Sequence, residues 1–197
     1  MSTPKRTLSK SAGEIFVDLD QFVVHAVVQW EFHWTLIKRE SFEQYRDPVF
    51  NRWLWWYSAT NDASLLAAIV WISKFFEKNN SSINIHYFLQ QLAQEPVDWS
   101  AEIAAINTIL TKAEPTAKDI TIIRSNYYIH KSRKLSFKDT MERTSSKYDH
   151  VRELIEHMRQ CLVVVSKALG GQETITDAPS ENTVAELEEV LKRMKAN

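Results

Sequence analysis

With 197 residues, 44% of them hydrophobic and 25% charged, the chain has an ordinary globular composition and the length for one domain with a buried core and a tail. Three Gly and five Pro leave few turn formers, which excludes a many-turned β fold and favours long helices. The lone Cys161 excludes an internal disulfide framework and a multi-cysteine zinc site, and a net charge of −1 excludes whole-molecule adhesion to nucleic acid, so such binding needs a local basic patch.

The first residues, Met1 to Lys10, are polar and basic, with no compact apolar stretch behind them to make a signal peptide. No apolar run approaches the ~18 residues of a membrane span. A soluble protein of the cytoplasm is expected.

Residues 1–10 read as a disordered basic start. From Ser11 the apolar positions Ile15, Leu19, Phe22, Val23, Ala26, Val27, Trp30, Trp34 and Ile37 keep helical spacing and predict one amphipathic helix. Asp47-Pro48 reads as an N-cap with a first-turn proline, opening a second helix over about 48–78 with a break near Thr60-Asn61-Asp62. Its Trp53, Trp55 and Trp56 exceed what one stripe can bury, so either several faces are covered or some form a dimer interface. After the loop Asn79-Asn80-Ser81-Ser82, a short helix spans 83–94 and Pro96 ends it. Helices then follow over 98–112 and 116–131, separated by Pro115. Residues 132–145 form a polar, basic loop, and 146–169 a strong helix closed by Gly170-Gly171. A linker over 172–181 leads to an acidic helix over about 182–195, with glutamates early and Lys192, Arg193 and Lys195 late, as a helix dipole favours. The expected architecture is an all-α antiparallel bundle of about five to seven helices over 11–171, followed by a C-terminal segment over 172–197.

The chemistry is concentrated in Ile123-Arg124-Ser125-Asn126-Tyr127-Tyr128-Ile129-His130-Lys131. Arginine offers a planar fork of donors to phosphate oxygens, and histidine moves protons near pH 7. On an ideal helix Arg124 and His130 are rotated by roughly 120° and lie about 9 Å apart along the axis. Asn126 and His130 share a face, and Arg124 is long enough to reach toward it. The bland reading is a helix end whose cations offset the macrodipole. Local charge adds weight to the functional one: from Arg124 to Lys147 there are seven Lys and Arg against two carboxylates. Tyr127 and Tyr128 add ring faces beside Lys131, Arg133 and Lys134, a composition suited to stacking bases next to phosphates. No HExxH-like spacing appears; His25 and His33, His150 and His157 read as ordinary histidines, and neither a metal nor a cofactor is expected.

This segment resembles the R-x4-6-H signature of HEPN domains, and is similar to the Arg-Asn-Lys-Tyr-x-Ala-His form of their abortive-infection and toxin-type branch. The aromatic helix leading into Ala63-Ser64-Leu65-Leu66-Ala67-Ala68 and the short helix after it are also similar to that branch, over roughly residues 12–170. The resemblance implies a HEPN-like fold and a metal-independent endoribonuclease of phage defence or toxin–antitoxin type, working as a homodimer on RNA and held by an antitoxin protein. It implies that His130 is the general acid/base, that Arg124 binds the phosphate, and that Ser125 and Asn126 orient the site. Ser125 stands where Asn, Asp or His is commoner, and Ile129 replaces a small residue. Those departures motivate the alternative of a non-catalytic helical module that binds RNA, a nucleotide or a protein partner.

Overall fold

The computed structural model describes residues 6–79, 81–125, 148–171 and 178–196. Among them the fold is all-α, with no strand. Seven α-helices are described: α1 (Lys10–Ile37), α2 (Arg39–Tyr45), α3 (Leu54–Phe76), α4 (Ile85–Leu92), α5 (Ser100–Ile123), α6 (Tyr148–Ala168) and α7 (Ala178–Ala196), with a π-helical segment (Arg46–Asn51) after α2. The chain divides into two compact units, one of residues 1–23 and 69–175, the other of residues 24–68 and 176–197.

Helix α1 follows its periodicity. Ile15, Leu19, Phe22, Val23, Ala26, Val27 and Trp30 are buried, while Phe16, Trp34 and Ile37 are only partly covered. Ser9 opens the helix, its hydroxyl accepting from the Ala12 N–H at 3.3 Å, and its own N–H and hydroxyl donate to the Glu95 carboxylate.

In the first unit, α4 is the most amphipathic short element: Ile85, Phe88, Leu89 and Leu92 point inward, and Asn84 caps it by accepting from the Tyr87 N–H at 2.9 Å. Helices α5 and α6 pack against each other. On α6 the residues Leu154, Met158, Cys161, Leu162 and Val165 are buried, and burial pushes the Cys161 thiol up to about 12. The end of α6 is a Schellman turn: Gly170, at φ 77°, donates to the Lys167 carbonyl and Gly171 to that of Ser166, each at 3.0 Å. A Cβ on Gly171 would meet the Ser166 Oγ at 2.7 Å, so a larger residue there would force that hydroxyl to turn aside.

In the second unit, Leu36, Tyr45, Val49, Phe50, Leu187 and Leu191 form one buried cluster, with Phe32, Trp56, Tyr57 and Met194 partly covered against it. Helix α7 packs on the π-helical segment, and Lys38 holds Glu188 at 3.4 Å.

Three boundaries differ from the sequence reading. Asp47 does not start a helix. It and Pro48 lie within the π-helical segment, where Asp47 accepts from the Asn51 side chain at 2.9 Å, and α3 begins only at Leu54. The chain does not break at Thr60-Asn61-Asp62. Pro115 does not end a helix either; it lies inside α5. An interior proline costs about 3 kcal/mol. The apolar spacing Ile106, Leu110, Ala113, Ala117, Ile120, Ile123 runs through it unbroken, and each large side chain buried contributes about 1.5–3 kcal/mol. The sum of that burial exceeds the proline penalty, and one continuous helix results.

Candidate functional site

Arg124 follows the last residue of α5 in helical conformation, donating its N–H to the Ile120 and Thr121 carbonyls. Its side chain is 17% exposed. Glu77, just past α3, places its Oε1 3.8 Å from Nη2. That distance supports an ion pair and is too long for a hydrogen bond. The Arg124 Nε is buried and has no acceptor. A guanidinium so placed keeps donors available for an oxyanion, although Glu77 competes for its charge. Ser125 is described and half-buried. Asn126, Tyr127, Tyr128, His130, Lys131, Arg133 and Lys134 lie outside the described residues.

Arg124 lines a cleft of about 440 Å³. The end of α3 supplies Ser73 and Phe76, the residues just past it Glu77 and Lys78, and α4 supplies His86. The α5 wall is a polar stripe, Asn107, Thr111, Glu114, Lys118 and Thr121, at helical spacing beside the buried face. Lys78 Nζ donates to Glu114 at 2.6 Å and holds that carboxyl below its ordinary range. Burial, helped by the neighbouring Lys78 charge, keeps the His86 imidazole below its ordinary range. The sequence reading missed this cleft. Its signal was the α5 polar stripe, hidden by treating Pro115 as a boundary.

The other histidines behave individually. His25 is exposed, whereas His33 is buried, with Nδ1 3.3 Å from the Asn61 carbonyl and its pKa lowered by burial. His157, on α6, lies 3.6 Å from Glu153. Among the described residues, no three of His, Cys, Asp and Glu converge as metal ligands. No described helix is long and apolar enough to cross a membrane.

His33 and His86 give a pH prediction. Both have folded pKa values below the ordinary 6.5, so their stability contribution is present above about pH 6.5. As the pH falls below that value, the unfolded chain takes up protons that the folded rings refuse, and stability is lost. The melting temperature is expected to fall between pH 7 and 5, and His33→Gln with His86→Asn to flatten that fall. An unchanged slope in the double variant would show that other groups carry the acid sensitivity.

A family model described as AbiU2, a HEPN family, matches residues 9–193. The match runs through α7, beyond the 12–170 stretch that the motif resemblance covers. No curated protein and no solved structure matches the chain.

Proposed function

The chain belongs to the AbiU2 family of HEPN domains, of the abortive-infection type, and from that premise we propose that it is a metal-independent endoribonuclease of phage defence or toxin–antitoxin type. The observation that carries the reading is the half-buried Arg124 guanidinium at the end of α5, its Nε without an acceptor, six residues before His130. In the reaction, His130 takes the proton from a ribose 2′-OH as that oxygen attacks the adjacent phosphorus. The P–O5′ bond breaks, the 5′-oxygen receives a proton, and a 2′,3′-cyclic phosphate remains. Arg124 pairs with the non-bridging oxygens as their charge grows. Ser125 and Asn126 orient the groups. Tyr127, Tyr128, Lys131, Arg133 and Lys134 hold the strand by stacking and charge. A homodimer doubles this constellation, and an antitoxin protein restrains it. The exposed Trp53, Leu54 and Trp55 at the start of α3 offer an apolar surface for such a protein contact.

The test is incubation of the purified chain with structured and unstructured RNA in EDTA, with product ends mapped. Cleavage that survives chelation and leaves 2′,3′-cyclic phosphate is the expected result. A second reading, a non-catalytic module that binds RNA, a nucleotide or a protein partner, draws on Ser125, Ile129 and the Glu77 carboxylate beside Arg124. It predicts salt-dependent RNA binding without products. Charge reversal at Lys131, Arg133 and Lys134 lowers affinity and the salt slope under both readings, by about one unit of slope for each phosphate no longer neutralised. No effect of that reversal would remove RNA from both.

A further inference from the structure

The α3–α4–α5 cleft has features that Arg124 alone does not explain. Ser73 is one of its lining residues, 2% exposed, and its hydroxyl has no hydrogen-bond partner. A buried hydroxyl without a partner destabilises the fold unless something else satisfies it. The Nε of Arg124, which lines the same cleft, is in the same condition. The two residues that carry these unsatisfied donors line one cavity of about 440 Å³, within the range that holds a small ligand. The walls are chemically divided. Phe76, Leu110 and Ile122 supply apolar surface, and Phe76 an aromatic ring. Lys118 and Arg124 supply positive charge, with Lys78 already engaged by Glu114.

We infer that this cleft seats one nucleoside phosphate, with Lys118 and Arg124 taking the phosphate, Ser73 donating to a polar atom of the ligand, and the apolar wall against the base. The occupant favoured by the geometry is one nucleotide of an RNA strand lying next to the bond that Arg124 serves. In that form the inference rests on the ribonuclease reading, and it names a substrate subsite of that centre. A base stacks without hydrogen-bond readout on an aromatic ring, so the subsite accepts any base. A bound strand would satisfy the Ser73 hydroxyl that the empty fold leaves without a partner.

The experiment measures binding of UMP, AMP, inorganic phosphate and a single-stranded RNA hexamer to the full chain and three variants. Lys118→Glu reverses a cleft charge, and Ser73→Ala removes the orphaned hydroxyl. Lys112→Glu reverses an exposed charge on the same helix outside the cleft. Lys118→Glu is expected to weaken the hexamer about ten-fold and Ser73→Ala several-fold, with Lys112→Glu close to wild type. Ser73→Ala should melt no lower than wild type when empty, yet gain less stability from the hexamer. Equal losses from Lys112→Glu and Lys118→Glu would mean undirected charge attraction and overturn the cleft, as would binding untouched by Ser73→Ala and Lys118→Glu. Phosphate binding as tightly as UMP would overturn the nucleoside assignment. UMP matching the hexamer would overturn the strand assignment in favour of a free nucleotide. The two readings fail separately. Cleavage with an unchanged KM in Lys118→Glu removes the subsite and keeps the ribonuclease; selective binding losses without any cleavage by wild type keep the seat and remove the ribonuclease.

Discussion

Arg124→Ala is expected to lower RNA cleavage by about 10²–10³-fold while leaving the melting temperature nearly unchanged. On the proposed mechanism the size follows from removing a cation that pairs with charge growing in the transition state, so the loss falls on kcat as well as on kcat/KM. The small effect on stability follows from the geometry. The Glu77 pairing at 3.8 Å is loose, and a guanidinium whose Nε has no acceptor contributes little to the fold. Arg124→Lys is expected to restore only part of the rate, because a point charge cannot grip two phosphate oxygens in a plane. His130→Ala is expected to cost a further comparable factor, about 10²–10⁴-fold, with its pH profile losing the limb near neutrality. Single-turnover cleavage at saturating RNA measures both. Full activity in the His130→Ala protein would remove that residue from the chemistry.

Phe50→Ala is expected to destabilise the second unit by about 3–5 kcal/mol. Phe50 sits in the π-helical segment, stacks on Tyr57 at a centroid distance of 4.3 Å, and lies near Tyr45 and Phe42. Its removal leaves a cavity against Leu36, Val49, Leu187 and Leu191, walls drawn from α1, the π-helical segment and α7. Leu191→Ala, at the other side of the same cluster, is expected to cost about 2–5 kcal/mol, and the double variant less than the sum of the two because they share one cavity. Urea unfolding followed by circular dichroism gives these values. A loss under about 1 kcal/mol for Phe50→Ala would show that the site collapses around the missing ring. The cluster also means that α7 is held by buried leucines, so deleting it should destabilise the chain as strongly as a core substitution.

The sequence revealed most where one physical signal acted alone. Helix α1 was legible because Ile15 through Trp30 keep one period with no competing breaker. The short α4 was legible from the spacing of Ile85, Phe88, Leu89 and Leu92 and from Pro96 beyond it, and the end of α6 from its paired glycines. Where two signals conflicted, the local one misled. Pro115 argued for a break while Ala113 and Ala117 continued the buried stripe, and burial decided the outcome. Asp47-Pro48 had the composition of a helix start, but packing of Val49 and Phe50 drew it into a π-helical segment. Arg124 was singled out by its spacing to His130. The cleft it borders depends on Ser73 and His86, distant in the chain, and no local pattern could bring them to α5.

The seven tryptophans occupy contrasting surroundings: Trp30 and Trp99 are buried, Trp53 is 45% exposed and Trp55 is 88% exposed. The start of α3 therefore carries a natural optical reporter. Iodide in solution reaches the Trp55 and Trp53 rings most readily and leaves Trp30 and Trp99 emitting, so quenching is weighted to one surface without any attached dye. A second copy or an antitoxin that covers this surface would turn the quenchable emission blue and shield it, and the concentration at which that happens would give the strength of the association directly.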